Sequence, residues 1–157
     1  RAVADFTEVI RLDPDSAYAY TQRGLAHGAN KELDKAMADY DRVVKLEPAW
    51  AAPHCDRGDV LLEKGAIDDA IAAYSHALRL APGLVRALHG RGSARLRKKE
   101  PDQAIADFSE AIRLAPNFVA AYEGRAAAYQ AKGDVYKAAE DIGHLQRLRP
   151  DAQAEKP

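Results

Sequence analysis

Cysteine, methionine and tryptophan occur once each in the 157 residues, and aromatic residues make up only 7%. The single cysteine, Cys55, excludes an internal disulfide framework and a multi-cysteine zinc site. A small, semi-buried side chain is the expectation, compatible with a reducing compartment such as the cytoplasm. An excess of charge of one sign is also lacking: 23 Lys and Arg stand against 24 Asp and Glu, a net charge of −1. A nucleic-acid binder needs a basic surplus or stripe to neutralise phosphates, so that class is set aside. No apolar run approaches the ~18 residues of a membrane span. The opening RAVADFTEVI brings in charge within a turn and lacks the long apolar centre of a signal peptide. There is no glycine-rich phosphate loop, no HExxH and no serine elbow, so neither catalysis nor a cofactor nor a metal is expected.

What the chain has is a beat. FSEAIRLAPN (108–117) nearly repeats YSHALRLAPG (74–83), and more loosely YDRVVKLEPA (40–49) and FTEVIRLDPD (6–15). Pro14, Pro48, Pro82, Pro116 and Pro150 follow one another at intervals of 34 residues. Ala2, Ala36, Ala70, Ala104 and Ala138 keep the same interval, as do the bulky Phe6, Tyr40, Tyr74, Phe108 and Ile142. So do Arg23, Arg57, Arg91 and Arg125, followed by Gly24, Gly58, Gly92 and Ala126. A fixed period of this size marks a solenoid or a propeller.

The spacing inside each repeat separates the two. Ala104, Ile105, Phe108, Ala111 and Ile112 lie on one face of an α-helix and do not alternate as a strand would. A basic residue (Arg11, Lys45, Arg79, Arg113, Arg147) favours the last turn of that helix, and proline then stops it. Asp15 or Asn117 is suited to start the next helix, which runs for example from Val119 to Ala131. Lys-Gly-Ala at 64–66 and Lys-Gly-Asp at 132–134 turn the chain back. Each repeat is therefore expected to be two antiparallel helices. Glycine inside a helix costs roughly 1 kcal/mol relative to alanine. Gly24, Gly58 and Gly92 are therefore expected to be offset by close helix approach, with Ala36, Ala70 and Ala104 as the opposing small surface.

These glycines, alanines, aromatics and prolines on one period resemble the tetratricopeptide repeat (TPR) family. The resemblance implies an all-α, right-handed α-solenoid of antiparallel helix pairs. Residues 1–16 would be the second helix of an incomplete leading repeat, with Val3, Phe6 and Ile10 exposing apolar surface. Repeats at 17–50, 51–84, 85–118 and 119–152 follow; the last is read as a C-terminal cap and 153–157 as a disordered tail. The departures are in the first helices. His54 and Leu88 stand where Tyr20 and Tyr122 carry the usual aromatic, and His27, Leu61 and Arg95 stand where Tyr129 does.

In this family the first helix of each pair lines a concave groove. The resemblance therefore places Tyr18, Thr21, Gln22 and Leu25 on its wall, then Cys55, Asp56, Asp59 and Glu63, then Arg86, His89, Ser93 and Arg97, then Glu123, Ala127 and Gln130. The wall reads acidic, then basic, then nearly neutral, a pattern that selects partners more than it adds affinity. The clamp by which chaperone-binding members hold terminal carboxylates does not match. Thr21, Leu25, Asp56, Arg86 and Gly90 occupy its positions, and only Arg86 suits a carboxylate; the register one repeat along (Cys55, Asp59, Gly90, Ala120, Gly124) fits worse.

The expected function is thus a non-catalytic scaffold that binds a peptide or partner helix, of identity unknown. Self-association through the N-terminal half repeat is the alternative. Adjacent side chains on a helix diverge by about 100°, so His54-Cys55-Asp56 cannot converge; chemistry using Cys55 with His89 of the next repeat and Asp59 stands third, since all three read as ordinary groove residues. The arginine series is expected to pair with acids such as Asp5, Asp39, Asp107 or Asp141 on nearby second helices.

Overall fold

Proline dictates where half the helices end, because its ring disfavours the α conformation in the residue before it. In the computed structural model, which describes residues 1–148, Asp13, Glu47, Ala81 and Ala115 precede prolines and are extended, with φ of −134°, −130°, −140° and −135°. The other helices end by a left-handed residue on the same beat: Lys31 and Lys99 at φ 61° and 66°, Gly65 and Gly133 at 78°. The amide after each closes a six-residue loop onto the carbonyl of His27, Leu61, Arg95 or Tyr129, at 2.9 Å every time. This satisfies carbonyls that the helix end would leave orphaned.

Among the described residues these stops delimit α1 (Ala2–Leu12), α2 (Ala17–Ala29), α3 (Leu33–Leu46), α4 (Ala51–Glu63), α5 (Ile67–Leu80), α6 (Val85–Arg97), α7 (Pro101–Leu114), α8 (Val119–Ala131) and α9 (Val135–Leu148), and no strand. The fold is an all-α solenoid of helix pairs. Contacts divide it into two compact units at Pro82–Gly83. The first unit packs α2 on α3 and α4 on α5, with α1 against α2 and α3 against α4; the second packs α6 on α7 and α8 on α9, with α7 against α8. The expected stop at Pro150, the end of the last repeat at 149–152 and the tail 153–157 lie outside the described residues.

Two local expectations are corrected. Asp15 and Asn117 do not cap the helices that follow them. The turn after each proline carries the start one residue further, so Ser16 Oγ accepts from the Ala19 amide at 3.4 Å and Phe118 occupies the later cap without a side-chain bond. Asp15 pairs instead with Arg42 at 2.7 Å. In α1, Val3, Phe6 and Ile10 are half-buried rather than exposed, and Phe6 meets the Tyr18 ring edge-on at 6.3 Å. The apolar exposure of α1 lies on Val9 and Leu12, at 41% and 70%.

The mid-helix glycines do permit close approach, but to the aromatic ring rather than to the alanine series. A Cβ on Gly24 would lie 2.7 Å from Tyr40 Cε1, and one on Gly58 2.6 Å from Tyr74 Cε1. In the second unit Phe108 is held from both sides, with 2.9 Å to a Cβ on Gly92 and 2.5 Å to one on Gly124. Tyr74 and Phe108 are fully buried, and each such ring contributes about 1.5–3 kcal/mol of apolar burial. Ala36, Ala70 and Ala104 are likewise fully buried.

Gly58→Ala is expected to destabilise the fold by about 1–2 kcal/mol in urea unfolding. The overpacking exceeds the helix-propensity gain because Tyr74 is anchored by its hydroxyl on Asp59 at 2.6 Å. Gly28→Ala, with open space around the new methyl, is expected to stabilise by up to about 1 kcal/mol.

Candidate functional site

The arginine series, with its aspartate partners, accounts for most of the buried charge among the described residues. Arg23 lays Nε and Nη2 on the two oxygens of Asp39 at 3.0 and 2.6 Å. Arg91 does the same to Asp107 at 3.0 and 2.7 Å, and Arg125 to Asp141 at 2.9 and 2.6 Å. The three carboxylates are buried, and two-point pairing of this kind is what makes burying them tolerable. These bonds also raise Arg23 and Arg125 above the ordinary arginine range. Asp107 takes a second cation, Arg95, at 2.7 Å. In the first pair the corresponding neighbour is His27, which places Nδ1 2.7 Å from Glu32. Lys35 and His27 together pull the Glu32 carboxyl down to about 2.

Arg57 breaks the series. Its register partner is Ala73, not an acid, and it reaches back to Asp41 at 2.9 Å instead of pairing with Asp5 or a carboxylate of α5. Its buried Nε makes no well-directed hydrogen bond, and neither does the buried Nε2 of His54 one turn earlier. His54 stacks on His76 of α5, ring centres 4.1 Å apart and planes at 29°. The His76 Nδ1 lies 2.9 Å from Arg79 Nη2. These side chains, with Lys64 and Asp69, line an open cleft of about 610 Å³. Burial pushes the His54 imidazole down, reinforced by His76, Arg57 and Arg79 and opposed by the Pro48 backbone. The expectation from sequence missed this cleft; the available signal was the missing acid at position 73.

The expected wall residues divide by burial. In the first unit Tyr18 is 65% and Leu25 45% exposed, Gln22 is half-buried, and Asp59 and Glu63 are exposed. Asp59 accepts from Tyr74, and Glu63 pairs with Lys31 at 2.6 Å. Thr21, Cys55 and Asp56 are buried instead. Thr21 turns its hydroxyl onto the Ala17 carbonyl at 2.8 Å, and Cys55 is fully enclosed. A side chain closed off by its own chain offers no surface, so these three leave the wall. In the second unit Arg86, Arg97, Glu123, Ala127 and Gln130 are exposed and His89 and Ser93 half-buried. The His89 ring packs against Phe108 and Phe118 at 5.7 and 5.4 Å. Among the described residues no three His, Cys, Asp or Glu side chains gather as a metal site, and no helix is long and apolar enough to cross a membrane.

Three family models, each described as tetratricopeptide repeat, match residues 1–53, 51–83 and 85–118. No curated protein matches the sequence. A crystal structure of MamA superposes with a TM-score of 0.86 at 20% identity, over 97% of this chain and 89% of that one. A MamA segment (41-end) from Desulfovibrio magneticus RS-1 gives 0.86 at 21%, over 96% and 85%. At such identity the likeness concerns the fold. The Arabidopsis OM64 TPR domain gives 0.70 at 26% identity, over 73% of this chain and 95% of that domain.

The depressed His54 carries a pH dependence whose sign follows from linkage. Below about pH 6.5 the unfolded chain binds the proton more readily than the fold does, so stability falls as pH drops through that window. His54→Leu, the residue found at the equivalent Leu88, is expected to lose less stability than wild type between about pH 7 and about pH 5. Urea midpoints across that range measure it; parallel curves would contradict it.

Proposed function

The chain is a tetratricopeptide repeat protein, and on that premise we propose that it is a non-catalytic scaffold holding a peptide or partner helix along the first-helix walls of its pairs. Proteins of this family generally act as interaction scaffolds rather than catalysts, and the fold supports that role here. The observation that carries the finer reading is the side-chain array left accessible after packing. In the first unit Tyr18 and Leu25 are exposed apolar anchors and Asp59 and Glu63 exposed acids, and Arg86 and Arg97 are exposed cations in the second. Apolar anchors supply affinity by burial, while the charges select and orient. Peptides selected from a random displayed library against the wild-type chain are expected to bind at least about tenfold more weakly to Arg86→Glu/Arg97→Glu, with unchanged helical circular dichroism. Undiminished binding by that variant overturns the second unit's part in the wall.

A second reading, self-association, is favoured by one observation: α1 has no buried residue, and Val9 and Leu12 expose their apolar surface. A second copy covering that face would remove it from water. Light scattering over a concentration series is expected to show a rising mass that Leu12→Glu abolishes. A constant monomer mass at every concentration eliminates this reading.

A further inference from the structure

The cleft beside Arg57 has an internal counterpart, and the difference between them is informative. In the last pair, Tyr122, Arg125, Glu140, Asp141, His144 and Arg147 line an open cleft of about 730 Å³. Each is two periods from a residue of the first unit's cleft: His54, Arg57, Ala72, Ala73, His76 and Arg79. The histidine stack is kept, with Tyr122 on His144 at 4.4 Å matching His54 on His76 at 4.1 Å. Both arginines are kept. Tyr122 gives way to His54, and the two carboxylates are lost, each replaced by alanine. Arg57 and Arg79 remain where those two carboxylates are missing.

We propose that this cleft binds a carboxylate supplied from outside the chain, the acidic side chain of a partner protein. Three sibling arginines show what the position is shaped for, since Arg23, Arg91 and Arg125 each hold an aspartate by the same two nitrogens. Arg57 has the equivalent register and a buried Nε without a well-directed bond. The buried His54 Nε2, likewise unbonded, lines the same cleft, and His76, Arg79 and Lys64 add positive charge. Two acids temper it: Asp69 lines the cleft, and Asp41 Oδ1 stands 2.9 Å from that same Arg57 Nε, off the line of its N–H. Lys64 is shared with the exposed Asp34 at 2.6 Å. Planar two-point recognition by a guanidinium favours a carboxylate, and a neutral alanine floor leaves room for it. This site is separate from the proposed wall. On α4 the cleft takes 54, 57 and 61, with Lys64 just beyond the helix end, whereas the wall takes 59 and 63 on the opposite side of the helix.

The probe is an N-acetylated, C-amidated triglutamate peptide, titrated at constant ionic strength while the ring resonances of His54 and His76 are followed by NMR. Saturable shifts of both rings are expected, with none for the triglutamine peptide. Ala73→Asp restores the internal carboxylate; it is expected to raise the melting temperature and weaken the peptide at least about tenfold. Arg79→Gln, a surface change, is expected to weaken it without loss of helicity, while Arg113→Gln in the other unit leaves it unchanged. The assignment is overturned by wild-type rings that do not shift, by Ala73→Asp binding as wild type, or by equal weakening in Arg113→Gln. Inorganic phosphate shifting the same rings at lower concentration than the peptide overturns the carboxylate as ligand.

Discussion

An aromatic ring pressed against bare helix backbone is the contact on which the rest depends. Tyr40, Tyr74 and Phe108 each stand where a methyl on the facing glycine would be under 3 Å away. That proximity fixes the distance between the two helices of a pair, and so determines which other side chains meet. Ala126 stands where the first three pairs have glycine, and the bulky residue in register there is Ile142. The aromatic and the glycine change together.

With the helices set at that distance, an arginine one residue before each glycine position comes within reach of the neighbouring second helix. Burying a guanidinium without a counter-charge is expensive, since hydrogen bonds to charged groups contribute about 1.5–3 kcal/mol each and losing one partner strands the other. Three pairs meet this with an aspartate. The fourth meets it with Asp41 of the preceding pair, a position that is Thr7, Ser75 and Ser109 elsewhere on the beat. Thr7 and Ser109 do accept from Arg23 and Arg125 at 3.3 and 3.0 Å. The acid stands on the second helix of the preceding pair instead of the same pair, and the side that Ala73 leaves without one is a cleft carrying Arg57, Arg79 and Lys64 beside the two stacked histidines.

The proposed wall was legible as a helix face but not as a set of accessible atoms. A period of 3.6 puts Thr21, Gln22 and Leu25 on one side of α2, yet Thr21 is buried and Leu25 is 45% exposed. Which of them neighbouring helices cover depends on helix spacing and tilt, and no local pattern encodes that. Asp56 looked like a groove acid beside Asp59; packing buries the first and leaves the second exposed with a tyrosine hydroxyl on it. The cleft shows the opposite failure. His54 and His76 are unremarkable apart in the sequence, and only the pairing of α4 with α5 brings their rings to 4.1 Å.

The sequence by itself determined the helix pairs, because proline, a left-handed turn residue and an apolar stripe act over a few neighbouring residues and recur on a fixed interval. It also determined that arginine would need acids, since charge balance is a matter of composition. Tertiary structure alone decided which acid each arginine found, what each glycine faced, and which residues of the first helices remained open to solvent. Those outcomes turn on distances of a few tenths of an ångström between segments far apart in the chain, where sterics and desolvation, rather than local preference, select the arrangement.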